Sequence, residues 1–508
     1  MEINIKNDSL SVCSAVCRMK SDFSTECDVI VPDSKPDIKK VLQLSARVKV
    51  TNCETQNDRV IVSGVVKLNI LYLADDEEKS VKAIDTSCIF SNLFQNSAVM
   101  ENMLTVADID VGNLSYNIAN CRKLTVKAVL TGKVKVYSIK DVEFVADIDG
   151  ACVKKKNLSS TIIASHGEST ANIQDSFELP QNKYNIKEIL KTESKITDSD
   201  IKIIDDKAIV KGNISVTTLY VTENGIDFME NELPFANVFD VSGLRQDMSA
   251  DYTARIEDLQ VVACEDSEGN LRILDINAEL FFRVIGFVTI NKECITDAYI
   301  PRGALECKTS TIEVSGVEKT LVNQVSLKEV INLPETHSPI DTVYRVIARP
   351  FIESCEADGD KMKIKGYSEI YILYLSKDED APVYSYKEDI DFSAVGDITD
   401  CSLIPNAECE VKTLSYTLGG DKEVEIRTSI EITTKCVRYS ETEIVLDAKE
   451  TEYTPVKRPS IIVSYANDQR GLWHIAKEYN ISGEEILMAN GMEKEEEITA
   501  GKALIIPK

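Results

Sequence analysis

The sequence predicts a mainly β protein: three tandem β-sandwich-like units, then a small strand–helix–helix–strand domain. Three observations carry this. A strand-like stretch occurs three times. The segments downstream of it repeat in the same order. The last stretch of the chain changes from an extended to a helical period.

The repeated stretch is Val60–Leu73, VIVSGVVKLNILYL, which returns as Ala208–Val221 and Met362–Leu375. In each copy a Gly precedes a Tyr by eight residues: Gly64 and Tyr72, Gly212 and Tyr220, Gly366 and Tyr374. Polar Lys211, Asn213, Ser215 and Thr217 alternate with Ile214, Val216 and Tyr220, as in a strand with one wet and one dry face. The internal Gly predicts a bend or bulge. Upstream, Ile38, Ile186 and Ile340 each stand 34 residues before their Tyr, and Pro32, Pro180 and Pro334 stand six before that Ile. A short helical turn is expected just after the Ile, at Val41-Leu42, Ile189-Leu190 and Val343-Tyr344.

The back halves agree. Val126, Ile276 and Ile426 are 150 apart, as are Asp147, Asp297 and Asp447, and Leu114-Ser115-Tyr116 returns at Leu414-Ser415-Tyr416. A period of about 150 is domain-sized rather than solenoid-sized, so three small domains with separate cores are expected. Their limits read as 1–155 with an N-terminal extension, 156–315 and 316–455, with the terminal domain at 460–508. Residues 1–26 read as a first strand on the first unit. Lys154 to Thr170 reads as a connector. Each unit closes with a strand pair: Lys123–Tyr137 with Val142–Ile148, Leu271–Ile290 with Cys294–Ile300, and Glu423–Val437 with Glu443–Ala448. Turns such as Asp75-Asp76, Glu223-Asn224-Gly225, Glu268-Gly269-Asn270 and Gly419-Gly420-Asp421 separate the elements.

At 508 residues the chain has room for three such units and a tail, and 43% hydrophobic residues suffice to build their cores. A net charge of −27 argues against general nucleic-acid binding and adsorption to anionic lipid. The first twenty residues lack a basic leader followed by an apolar core, and no apolar run is long enough to span a bilayer. A cytosolic protein without membrane insertion is therefore expected. The 14 cysteines are scattered, with no CxxC, and are expected as small buried hydrophobes. Cys13 and Cys17 would share a helix face, but without a second pair they do not make a metal site.

The tail differs in kind. Glu452–Pro459 reads as a linker and Ile461–Tyr465 as a strand. Leu472, Ile475, Ala476 and Tyr479 follow helical spacing. Ser482 with Glu485 fits a capping box for a second helix that Asn490-Gly491 stops, and Ala503–Ile506 is a closing strand. With Leu472-Trp473, Ile475-Ala476, Tyr479, Leu487, Asn490, Ile498, Gly501, Leu504 and Ile506-Pro507, this segment resembles a LysM module. Family members carry Gly-Asp-Thr before Leu-Trp, where Gln469-Arg470-Gly471 stands here. In glycan-binding modules that loop and the one after the second helix line the groove for N-acetylglucosamine chains. The resemblance, with those side chains gone, implies a surface for a protein ligand made of Gln469, Arg470, Gly471, Leu472, Trp473, Asn490, Gly491 and Met492.

The repeats resemble the SPOCS domain of spore-forming Firmicutes through Val31-Pro32, Leu179-Pro180 and Leu333-Pro334, the Ile with its following pair, and the Gly…Leu-Tyr strand. Three such units before one LysM module resemble clostridial spore-coat morphogenetic proteins. That resemblance implies a non-enzymatic adaptor in the mother-cell cytoplasm at the forespore surface. Its implied partner is the SpoIVA-type coat ATPase, docked through the LysM module, with other spore coat proteins as further partners. The alternative is a cell-wall protein that binds peptidoglycan through N-acetylglucosamine, which the missing secretion signal and missing Gly-Asp-Thr disfavour.

No enzyme, metal or cofactor is expected: HExxH, GxSxG, Walker A and GxGxxG spacings do not occur. The three histidines, His166, His337 and His474, stand near no nucleophile motif, and His474 reads as a solvated helix residue. Asp-Ile-Asp at Asp108–Asp110, Asp147–Asp149 and Asp389–Asp391 could bind Ca²⁺ but reads better as the wet face of a strand. Tyr72, Tyr220 and Tyr374 read as core residues, and Trp473 divides between packing and contact. The acidic run Glu493–Glu497 reads as a solvated loop that could meet a basic patch on a partner.

Overall fold

A computed structural model of the protein describes residues 3–77, 80–315, 319–376, 383–398, 403–454, 459, 462–466, 471–494, 498 and 501–507. Ile461, Gln469 and Arg470, and parts of the predicted linker and of the acidic run, lie outside the described residues.

The first unit holds β1 (Ile5–Ile30), β2 (Ile38–Gln56), β3 (Arg59–Ala74), β4 (Val81–Gln95), β5 (Leu104–Asn120) and β6 (Lys123–Ile148). The second repeats the order with β7 (Cys152–Glu178), β8 (Glu188–Ile204), β9 (Lys207–Thr222), β10 (Gly225–Asp240), β11 (Ser249–Glu265) and β12 (Leu271–Tyr299). The third has β13 (Ala304–Ser315), β14 (Lys319–Asn332), β15 (Ile340–Asp358), β16 (Lys361–Ser376), β17 (Val383–Asp397), β18 (Leu403–Leu418) and β19 (Glu423–Thr451). In each unit one antiparallel sheet has the repeated Gly-containing strand at its centre, ordered β2-β3-β4 in the first unit. A second sheet, β1-β6-β5, faces it.

The apolar sides of the two sheets meet. In the first unit Val60, Val62, Val66, Leu68 and Ile70 pack against Leu124, Val126, Ala128 and Leu130. Each fully buried side chain of that size contributes about 1.5–3 kcal/mol through removal from water. Tyr72, Tyr220 and Tyr374 are fully buried, as expected, and Tyr72 and Tyr374 donate their hydroxyls to the carbonyls of Pro36 and Ser338.

Several expectations are corrected. The short helical turn does not form: Val41-Leu42, Ile189-Leu190 and Val343-Tyr344 lie in β2, β8 and β15, beside β-bulges. A bulge residue bends the strand locally, which imitates the start of a helix. The stretch from Lys154 to Thr170 is no connector; it is part of β7, paired with β12 throughout. The closing strand pairs are single strands of 26, 29 and 29 residues. Residues 138–141, which separate the two expected strands of the first unit, do not break the strand: β6 continues through them on the same partner, β1. Lastly, Cys27 in β1 and Cys88 in β4 are joined by a disulfide between the two sheets of the first unit, Cα to Cα 5.8 Å.

The continuation of those long strands changes the architecture. Beyond each sandwich, β6 with β1, β12 with β7, and β19 with β13 run on as two-stranded ribbons. The three ribbons pack on one another around a common axis. Val145, Ile295 and Val445 occupy the same repeat position and are fully buried together, with Ile148, Ala298 and Ala448 beside them. Leu10, Leu158 and Ile312, with Phe144, Cys294 and Ile444, form the next layer. Each unit therefore has its own sandwich core, and all three share another.

The predicted bulge at the Gly sits on the neighbouring strand instead. Extra residues in β2, β8 and β15 lie opposite Gly64, Gly212 and Gly366, while Phe90, Phe235 and Phe392 lie across from the same glycines in the other neighbour. A Cβ on Gly64 would stand 2.2 Å from the Lys49 carbonyl oxygen and 2.8 Å from the Phe90 ring; on Gly366 it would stand 2.2 Å from the Phe351 oxygen. Gly64→Ala and Gly366→Ala are each expected to cost about 1–3 kcal/mol in urea denaturation. Gly420→Ala, with nothing within 4 Å, is expected to stay within about 0.5 kcal/mol of the wild type.

Candidate interaction surface

Two places bring functional-looking side chains together: the axis between the units, and the joint between the second unit and the terminal domain.

On the axis, Leu71, Leu219 and Leu373 occupy one repeat position and share an apolar cluster with Leu42, Leu73 and Leu190. Opposite these leucines in the neighbouring strands stand Gln43, Lys191 and Arg345. Three lysines there would repel one another, and the sequence avoids that by differing in each unit. Lys191 donates to the Gln43 side chain at 2.9 Å and pairs with Glu193 at 2.5 Å. Arg345 reaches Glu193 at 3.4 Å and Glu230 at 2.8 Å. Burial on its own raises the Glu193 carboxyl, but the Lys191 ammonium with the Arg345 and Arg349 guanidiniums outweighs it and holds the group below its ordinary 4.5. Burial pushes the Lys191 ammonium below its ordinary 10.5, against the pull of Glu193.

Around this pair the first and second units are laced by charge. Lys35 and Lys82 both hold Glu188, at 2.8 and 2.9 Å, Lys49 pairs with Glu279, and Lys67 with Asp258. Asp108, from the first Asp-Ile-Asp, lies 3.4 Å from both Arg255 and Arg283. It is the wet face of a strand, as expected, and it spans two units. Half-exposed pairs of this kind contribute about 0–1 kcal/mol each, so they fix which surfaces meet more than how tightly. The ring closes where the Lys40 ammonium sits over the Tyr384 ring, 4.8 Å from its centroid, joining the first unit to the third.

The terminal domain follows the predicted order: β20 (Ile462–Tyr465), α1 (Leu472–Tyr479), α2 (Gly483–Ala489) and β21 (Ala503–Ile506), with the two strands antiparallel. Ser482 and Glu485 form the capping box in full, so α2 starts where predicted. Gly471 caps α1 with no side-chain bond, which follows from the loop's lack of Asp and Thr.

The described candidate residues hold mixed roles. Leu472 is buried in the domain's own core, with Met492 partly buried against it. The Asn490 side chain bridges α2 to β21, bonding the Ile486 carbonyl and both backbone groups of Ile505 at 2.7 Å each. Gly491 turns the chain at φ 63°. Trp473 faces the second unit: its Nε1 donates to Asp297 Oδ2 at 2.9 Å, and its ring meets Tyr299 edge-on at 5.2 Å. Lys477 pairs with the same Asp297 at 2.5 Å. The Tyr299 hydroxyl donates to the Ile481 carbonyl at 2.9 Å, and burial pushes its pKa up. Arg302 reaches Glu485, and the Asn480 side chain bonds the Gly303 carbonyl. His474 is exposed, as expected. Cross-strand partners Val463 and Ile505, with Tyr465 and Met488, are exposed.

Tyr299, Arg302 and Gly303 were missed. Their signal was a break in the repeat: Tyr299 stands where the other units carry Asp149 and Lys449. Among the described residues, no three His, Cys, Asp or Glu side chains converge on a point that could hold a metal. No described helix is long and apolar enough to cross a membrane.

A family model described as "SipL, SPOCS domain" matches residues 37–119, 185–263 and 339–418. The three units belong to the SipL SPOCS-domain family. The matches place this chain among sporulation proteins. In each SPOCS unit the matched span runs from the strand that carries the bulges to the edge strand of the second sheet. The long strand that reaches the axis lies outside the match. No curated protein and no solved structure matches the chain.

Within the SPOCS ring, Glu193 is the carboxylate that Lys191 depends on. Glu193→Gln leaves that cation buried without its partner and is expected to cost about 3–5 kcal/mol in chemical denaturation at neutral pH. Because the folded-state pKa of Glu193 lies below its ordinary 4.5, its contribution is whole above pH 4.5 and is lost as pH falls through the folded value. The slope of stability against pH is therefore expected to be shallower in Glu193→Gln than in the wild type below pH 4.5.

Proposed function

We propose that this chain is a non-enzymatic scaffold of the spore coat, lying at the forespore surface in the mother cell. In this reading its terminal domain is a LysM-type module that docks a SpoIVA-type coat ATPase. The SPOCS ring then braces or recruits other coat components. The observation that carries the reading is the combination of three family-matched SPOCS units with a strand–helix–helix–strand terminal domain.

Chemistry of the surfaces agrees. The module exposes Val463, Tyr465 and Ile505 on its two-stranded sheet and Met488 on α2, and Glu484 and Glu493 are exposed on the same small domain. Exposed apolar side chains together with acidic groups suit a protein partner that offers both apolar and basic residues. The sugar-binding reading would need the loop before α1, whose Gly-Asp-Thr is replaced here by Gln469-Arg470-Gly471.

Substituting Leu472 by a charge is a poor test of docking, because that side chain belongs to the module's core and the domain would unfold. Deletion of residues 460–508 is cleaner. The full chain is expected to capture the purified coat ATPase in a pull-down, and the shortened chain to lose that capture. Sedimentation with insoluble peptidoglycan is expected to recover neither. Recovery of the full chain with peptidoglycan, or capture of the ATPase by the shortened chain, would count against the proposal.

A further inference from the structure

The threefold repeat offers the terminal module three related corners, at the ends of β6, β12 and β19. Each carries an Asp at the same repeat position: Asp147, Asp297 and Asp447. Asp147 faces Lys6 at 3.6 Å, and Asp447 accepts the backbone N–H of Ala448. Asp297 instead holds the Trp473 indole and the Lys477 ammonium of the module. What distinguishes the second corner is the residue two positions on, Tyr299, against Asp149 and Lys449 elsewhere, and the Ile300–Gly303 turn behind it. That turn adds a backbone bond from Arg302 to the Asn480 carbonyl at 2.9 Å and one from the Asn480 side chain to Gly303 at 2.7 Å.

The joint is specific without being closed. Its apolar part is Tyr299 and Cys152 against the module's core. Beside it lies an open cleft of about 560 Å³, walled by Lys154, Thr296, Thr309, Glu443, His474 and Lys477. A small apolar contact ringed by water-accessible polar groups resembles a separable interface more than a domain core.

We infer that the second unit is the resting seat of the terminal module, and that α1 recognises an extended segment with an acidic residue followed two places on by a tyrosine. Residues two apart on a strand share a face, so Asp297 and Tyr299 reach α1 together. Seated this way, Trp473 has its Nε1 held by Asp297 and its ring edge against Tyr299, so a partner that uses those contacts competes with the seat. A protein that engages Trp473 either displaces the seat or presents the same acidic-then-aromatic strand. The inference concerns the isolated chain and stands apart from the ATPase reading.

Trp473 is the single tryptophan, so its fluorescence reports the joint directly. In the full-length chain, Tyr299→Ala and Asp297→Asn are expected to shift its emission to longer wavelength and roughly double its quenching by acrylamide, with circular dichroism unchanged. Asp147→Asn and Asp447→Asn, at the related corners, are expected to leave both readings at wild-type values. Asp297→Asn keeps the side-chain shape, so it reports the seat even if Tyr299→Ala unfolds the region. Wild-type emission already typical of an exposed indole, or emission unmoved in Asp297→Asn, would overturn the inference.

Discussion

The architecture depends on one junction: the burial of Val145, Ile295 and Val445 against each other at the axis. Without it the units would meet through the leucine cluster and the charged groups around Lys191 and Glu193. With it, each unit's longest strand belongs to two cores at once, its first half inside the sandwich and its second half in the common bundle. In β6 this is seen in the buried set, which runs Leu124, Val126, Ala128, Leu130, Val134, Val136 and then resumes at Phe144 and Val145. Phe144 keeps the parity of that run, and the alternation slips by one residue only at Val145, where the pairing with β1 shifts register around Ala146. Damage at the bundle should therefore be felt in every unit, because no unit owns that core.

Polar groups then decide how the units pair. The ion pairs between the first and second units are partly exposed and individually weak, yet they come from different repeat positions on the two sides. They reject a shifted or permuted arrangement more effectively than they add stability. Gln43, Lys191 and Arg345 make the same point on the axis. One carboxylate, Glu193, serves two cations, and an uncharged amide fills the third place.

Much of this was legible in the sequence. The period of two, the Gly-to-Tyr spacing and the recurrence of Asp147, Asp297 and Asp447 define three β units, and the helical spacing of Leu472, Ile475 and Ala476 defines α1. Helix limits came out well because Ser482 with Glu485 and Asn490-Gly491 are local signals. What was not legible were long-range effects. Ile139, Lys140 and Asp141 are exposed where β6 crosses from one core to the other, and the polar pair Lys140-Asp141 at that point reads as a turn. The bulges in β2, β8 and β15 show in pairing rather than in propensity. Cys27 and Cys88 are 61 residues apart with no motif to couple them. At the candidate surface, resemblance pointed to Trp473, but its partner Tyr299 could be found only by asking where one repeat departs from the other two.

Fusion of the three units into one polypeptide has a stoichiometric consequence. An assembly of three identical chains would carry three terminal modules and three equal corners to hold them. Here there is one module for three arms, and one corner suited to it. The one module occupies the Asp297 corner, so the Asp147 and Asp447 corners of the same body are left without it, and a threefold framework carries a single asymmetric mark.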